Sequence, residues 1–435
     1  MTQRYDVIVI GAGHNGLTAG ALLAKRGRRV LIVEARDVVG GLAAGEEFHP
    51  GYRTTGILHD TSRVRSWVVE LLALESHGLS RSSQAPQTLV LGRGGSGFVL
   101  DRQEVDNRHI EWRRFLDRIR PVIQRLADNA PADLLEPAAG DLLKLARAAV
   151  SIRLLGKTDM MELLRIAPMS VADWLGERFA SETLKAALAA PAVYSTNTGP
   201  RSPGSNANLL LHESLAGPTI RGGPAALVTA LEKAARSHGA EIRTEAAVER
   251  ISLKGGKVSG VRLLGGEEIE AATVAASCDP KQIFLRLVPG AVLSRRFEAH
   301  VQNFRCRGTT AKIHLALTGY PEFSSRSGQV FEHVRTGASL DDLERASDAI
   351  KYRRFSDWPV LDISFPTIES PELAPRGHHV ASVLVHFAPF DLGGGWSQER
   401  NEELYRAALA VLSDIAPGIE GQIVGREVSS PADIA

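Results

Sequence analysis

The chain has 435 residues, 44% hydrophobic and 23% charged, with 51 basic residues against 50 acidic ones. That apolar share fills the cores of two or three connected domains, and the balanced charge gives nucleic acid or a strongly acidic partner no handle. Its two cysteines, Cys278 and Cys306, make neither a disulfide framework nor a C-x-x-C pair, so a redox-dithiol mechanism and cysteine-type zinc sites are excluded.

The N-terminus enters a strand pattern within five residues, leaving no room for a signal peptide, and no apolar run reaches bilayer length. A cytoplasmic protein is the expectation. Tyr5-Asp6-Val7-Ile8-Val9-Ile10 reads as a buried parallel strand. Gly11-Ala12-Gly13-His14-Asn15-Gly16 follows, then a small-residue helix ending near Gly27, then the strand Val30–Val33 closed by Glu34. This is a complete βαβ dinucleotide fingerprint, with the acid 18 positions beyond the third glycine. Gly11 permits the tight turn, Gly13 admits a pyrophosphate, and Gly16 lets helix and strand pack closely. Free N–H groups at the helix start face the phosphates, and Glu34 accepts from a ribose diol.

A second glycine series, Gly92–Gly97, lies between Thr88–Leu91 and Phe98–Leu100, so a β-hairpin is expected there. Helical periodicity covers 60–78. Residues 107–190 read as helix-rich, punctuated by Pro121, Pro131, Pro137 and Pro168. The basic, apolar stretch 142–155 reads as a core or lid helix, with a peripheral membrane contact as the alternative. From Arg221-Gly222-Gly223-Pro224 the order is helix, strand, hairpins at Gly255-Gly256 and Gly265-Gly266, and a return strand at Val274–Ser277. Strand candidates follow at 311–317, 328–334, 360–366 and 380–387, then a helix at 398–415 and a strand at 421–426. His378, His379 and His386 lack a carboxylate at ligand spacing, so no metal site is expected.

After Glu34, the pattern continues through Arg36 to Gly40-Gly41. That extension resembles the FAD-binding segment of the flavin-dependent amine oxidase and phytoene desaturase superfamily. Gly11–Leu17, Glu46–Arg53 and His77-Gly78-Leu79 are similar to one of its branches. That branch holds phytoene-dehydrogenase-related proteins, desaturase-type β-carotene ketolases and the pyridine nucleotide-disulfide oxidoreductase domain-containing protein 2 group.

The resemblance implies an α/β protein: a Rossmann-like FAD-binding domain, residues 1–105 and 215–290, with a second α+β substrate domain inserted, 106–214 and 291–435. It implies FAD held by Gly11, Gly13, His14, Asn15, Gly16, Glu34, Ala35, Arg36, Gly40, Gly41 and the backbone of Val248. His59 and Asp60 are the implied groups for polarising substrate, although turn or cap roles suit them equally. The implied activity is hydride removal from an apolar, isoprenoid-like or amine small molecule, with no nucleic-acid partner. The sequence stops at Pro431–Ala435, where the resemblance implies a glycine-rich cover for the flavin ring. On that expectation flavin is held weakly. A flavin-binding regulatory or scaffold protein is then the alternative to an enzyme, and a homo-oligomer or partner subunit supplies the rest.

Overall fold

The computed structural model describes residues 4–82, 87–100, 107–129, 131–133, 137–305 and 307–435. It divides into two compact units, Met1–Ala85 with Pro218–Cys306 and Pro86–Gly217 with Arg307–Ala435. Cys306 and the expected division at 105/106 lie outside the described residues.

In the first unit, β1 (Arg4–Ile10), α1 (His14–Lys25) and β2 (Val30–Val33) form the expected crossover. The six-stranded sheet runs Val248–Lys254, Lys257–Leu263, Glu268–Ala276, β1, β2, Glu241–Arg243. β1 pairs in parallel with β2 and with Glu268–Ala276, and β2 with Glu241–Arg243. The remaining neighbours are antiparallel hairpin strands. Period-two alternation splits β1 between two cores. Val7 and Val9 pack with Leu17, Ala21, Leu227 and Leu231 from α1 and the helix Gly223–Ser237. Ile8 and Ile10 join Leu31, Ile251 and Val261 in the other. The 60–78 helix is shorter than its periodicity predicts: only Ser66–Leu71 is α-helical, with a 3₁₀ turn at Leu74–His77. Residues before it are held in a turn, because Thr61 Oγ1 accepts from Ile220 N (2.9 Å) and Asp60 caps Ser62.

The second unit has a seven-stranded sheet. Its order is Ile423–Ser429, Thr310–Leu317, His379–His386, Val360–Ser364, His333–Thr336, Thr88–Leu91, Gly97–Leu100. The hairpin 88–100 forms as expected, and its strands lie in this sheet rather than with the nucleotide unit. The strand expected at 328–334 begins only at His333. One face packs Ile313, Leu315, Val383 and Leu361 against the helix Gln398–Ile415 through Leu404, Ala408 and Leu412. Pro121 does not punctuate: the helix Asn107–Asp128 runs through it. A proline there forfeits one backbone hydrogen bond, and burial of Trp112, Phe115, Leu116 and Ile119 on the same helix offsets it. Among the described residues, no helix is long and apolar enough to cross a membrane.

Candidate dinucleotide site and a buried polar row

At the end of β1 the chain turns through Gly11 at φ +93°, and Gly11 N–H donates to Val33 O (2.8 Å), pinning the turn to β2. A Cβ on Gly16 would lie 1.9 Å from Gly11 O, so α1 approaches the turn this closely only as glycine. Gly13 is different. It caps α1 at φ −66°, ψ 170°, and a Cβ there would meet nothing nearer than 3.9 Å. Backbone conformation and packing both tolerate a side chain at that position. Gly13 brings no side-chain cap to the first-turn amides of α1. An uncapped helix start leaves its amides to a pyrophosphate.

The second glycine pair is laid against this loop. Gly40 N–H donates to Ala12 O (2.8 Å), and Gly13 and Gly40 form an isolated parallel bridge. Gly40 sits at φ +123°, and a Cβ on Gly41 would come within 3.2 Å of Gly13 Cα. Glu34, half-buried, accepts from Ala12 N (2.7 Å) through Oε2 and from Arg36 N (3.1 Å) through Oε1. Its carboxylate is thereby fixed at the C-terminal end of β2 with lone pairs remaining on both oxygens. Glu34 N–H donates to Arg243 O and Ala246 N–H to Glu34 O, which draws the start of the Val248–Lys254 strand alongside. Val248 opens that strand opposite Leu263.

Ala35 and Asn15 are exposed, and Arg36 is exposed in an ion pair with Glu46. His14 is half-buried at the first position of α1. Its Nδ1 is buried without a hydrogen-bond partner, and burial lowers the ring's pKa, so the imidazole stays neutral at neutral pH. The uncapped amides, the close approach of Gly16 to Gly11 and the Glu34 carboxylate fit the ADP half of FAD.

His59 and Asp60 follow a segment tied to the glycine pair: Ile57 N–H and Leu58 N–H both donate to Leu42 O. His59 is half-buried. Asp60 is exposed and accepts from Ser62 N (2.7 Å) and Ser62 Oγ (2.9 Å), with Arg63 3.5 Å away. Its carboxylate serves a turn.

The second unit holds a group that sequence reasoning missed. On the sheet face opposite the helix Gln398–Ile415, Lys312 and Asp362 both stand beside Leu384 in register, and Arg335 stands opposite Asp362. Lys312 is 1% exposed and Asp362 5%. Arg335 Nε lies 3.3 Å from Asp362 Oδ2, and its guanidinium is 5.9 Å from the Tyr194 ring centroid. Tyr194 stacks on buried His386 at 3.6 Å with 9° between the rings. Burial pushes the Lys312 amine from 10.5 down to about 7 against the pull of Asp362, and pushes the Tyr194 phenol up. The sequence signal was present: Lys312 and His314 alternate with Ala311, Ile313 and Leu315 in a strand otherwise apolar.

A mixed sheet with a parallel βαβ core, its glycine cradle and a second α+β unit define a dinucleotide-binding oxidoreductase fold. The chain matches the family of flavin containing amine oxidoreductases over residues 16–432, and it belongs to that family. Its cofactor is FAD. Pyridine nucleotide-disulfide oxidoreductase domain-containing protein 2 of Rattus norvegicus is 29% identical, covering 100% of this chain and 82% of the relative. The zeta-carotene-forming phytoene desaturase of Myxococcus xanthus is 26% identical, with the same coverage of 100% and 82%. Putrescine oxidase superposes with a TM-score of 0.59 at 17% identity, over 99% of this chain and 85% of that one, a likeness of fold alone.

Proposed function

We propose that the chain is an FAD-dependent dehydrogenase acting on an apolar, isoprenoid-like small molecule. The observation that carries the flavin part of the reading is the uncapped start of α1 behind the close Gly11–Gly16 turn. When bound, FAD supplies a hydride acceptor for a C–H or C–N bond. Gly11, Gly13 and Gly16 bring first-turn amides to the pyrophosphate, and Glu34 orients the adenosine ribose with lone pairs its backbone donors leave over. His14, Asn15, Ala35, Arg36, Gly40, Gly41 and the backbone of Val248 complete the binding set. His59 is the group proposed to polarise substrate, and Asp60 shapes the turn that follows it.

The isoprenoid class is favoured over amines because a phytoene desaturase aligns over the whole chain at 26% identity, whereas the putrescine oxidase likeness, at 17% identity, is one of fold. The test is anaerobic mixing of the yellow holoprotein with isoprenoid polyenes or with aliphatic amines. Bleaching of the flavin bands by isoprenoids supports the reading. Bleaching by amines alone overturns the substrate class, and bleaching by neither favours a flavin-binding regulatory role.

A further inference from the structure

The stretch 142–155, read from sequence as a core or lid helix, rests on the helical core through Leu155 and a half-buried side, and leaves its leucine face uncovered. The helix Ala139–Arg153 has no buried residue. Leu142 is 56% exposed, Leu143 51%, Leu145 38%, Val150 57% and Leu154, just past its end, 80%. On a 3.6-residue period, Leu142, Leu145, Ala146, Ala149 and Val150 share one side with Leu143 at its edge, while the half-buried Asp141, Ala148, Ser151 and Ile152 take the other. An apolar arc of this kind ordinarily faces a core. Here it faces outward.

Charge decides what covers it. The acids of this stretch are already engaged: Asp141 by Lys144, Asp159 by Arg118, and Glu162 by Arg165 and Arg178. Among the described residues Arg147, Arg153 and Lys157 are exposed and stand in no ion pair. The helix and the start of the next, Lys157–Ile166, therefore present leucines among uncompensated cations. At about 22 Å the first helix is too short to span a bilayer and long enough to lie in its interface.

We propose that the helix Ala139–Arg153 and the following turn dock on an anionic lipid surface, the leucines entering the acyl boundary and Arg147, Arg153 and Lys157 meeting headgroup charge. Lipid is favoured over a protein partner because a membrane supplies negative charge wherever the three cations fall, without matched acids. The proposal stands apart from the substrate assignment.

The experiment is flotation of the full-length protein with phosphatidylcholine vesicles, with or without phosphatidylserine. The wild type is expected to float with the anionic vesicles, less with neutral ones, and to be released by raised salt. The triple variant R147Q/R153Q/K157Q should lose roughly fivefold in partitioning per cation, on the order of a hundredfold in all. L142S/L143S/L154S should abolish flotation with its thermal melting unchanged, because these side chains are exposed. Absence of wild-type flotation overturns the proposal. So does flotation indifferent to both variants, or self-association abolished by the leucine variant without vesicle binding, which would assign the face to a second copy.

Discussion

Alanine at Gly13 and at Gly16 separates what the fold needs from what the cofactor needs. A Cβ at Gly16 would sit 1.9 Å from Gly11 O, where real Cβ contacts do not occur below 3.0 Å. The turn or α1 must then move by roughly 1 Å, an overpacking cost of about 1–3 kcal/mol or more. At Gly13 the same methyl meets nothing nearer than 3.9 Å, and φ −66° suits alanine. Alanine is the poorer N-cap by up to about 1 kcal/mol, and a stiffer unfolded chain offsets about 0.4–1 kcal/mol of that. Gly13→Ala should thus leave the apoprotein's melting temperature within a few degrees of wild type, roughly 2–4 °C per kcal/mol in a domain of moderate size. Its methyl would nevertheless stand where pyrophosphate meets the helix amides. Losing one or two charge-assisted hydrogen bonds at about 1.5–3 kcal/mol each weakens FAD by tenfold to a hundredfold or more. Circular dichroism melts of apoprotein and quenching of flavin fluorescence on titration measure the two quantities. Equal destabilisation by both substitutions, or unchanged FAD affinity in Gly13→Ala, would show that Gly13 serves the fold and not the cofactor.

Glu34→Ala should lower FAD affinity and also stability, because Ala12, itself buried, loses the acceptor for its N–H; an orphaned donor costs about 1–3 kcal/mol, and urea denaturation of the apoprotein reads it. For Lys312, burial sets the folded amine at about 7 against 10.5 unfolded, so between those values the unfolded chain binds the extra proton and stability rises with pH. Lys312→Met should therefore gain most over wild type below about pH 7 and progressively less toward pH 10.5; a gain independent of pH in urea titrations would contradict the assignment. His59→Gln should reduce turnover by tenfold or more while Asp60→Ala stays within about twofold, the ratio expected when one residue positions substrate and the other only a turn. Equal losses in steady-state kinetics would reassign Asp60.

The nucleotide unit was legible because its constraints are local. Val7–Ile10, the glycines and Glu34 lie within one crossover, where the spacing of residues fixes both strand and turn. Pro121 misled, since tertiary packing of Trp112, Phe115 and Ile119 overrides a single proline's cost. The hairpin 88–100 was readable as a hairpin but not as part of the second sheet, because its partner, His333–Thr336, lies more than two hundred residues away. The polar row was hidden for the same reason. Lys312, Asp362 and Arg335 meet only through strand register, although Lys312 and His314 broke the apolar pattern of their own strand in plain view. The outward leucines of Ala139–Arg153 were misassigned because periodicity marks an apolar face without saying what it meets.

Identifying the dinucleotide released from the purified protein shows directly what the glycine cradle holds. The protein is denatured, and the supernatant is resolved by liquid chromatography against FAD, FMN and NAD standards. The cradle of Gly11, Gly13, Gly16, Gly40, Gly41 and Glu34 predicts FAD, released in proportion to protein and sharply diminished in Gly13→Ala. Recovery of NAD without flavin, or of FAD at equal yield from Gly13→Ala, would contradict it.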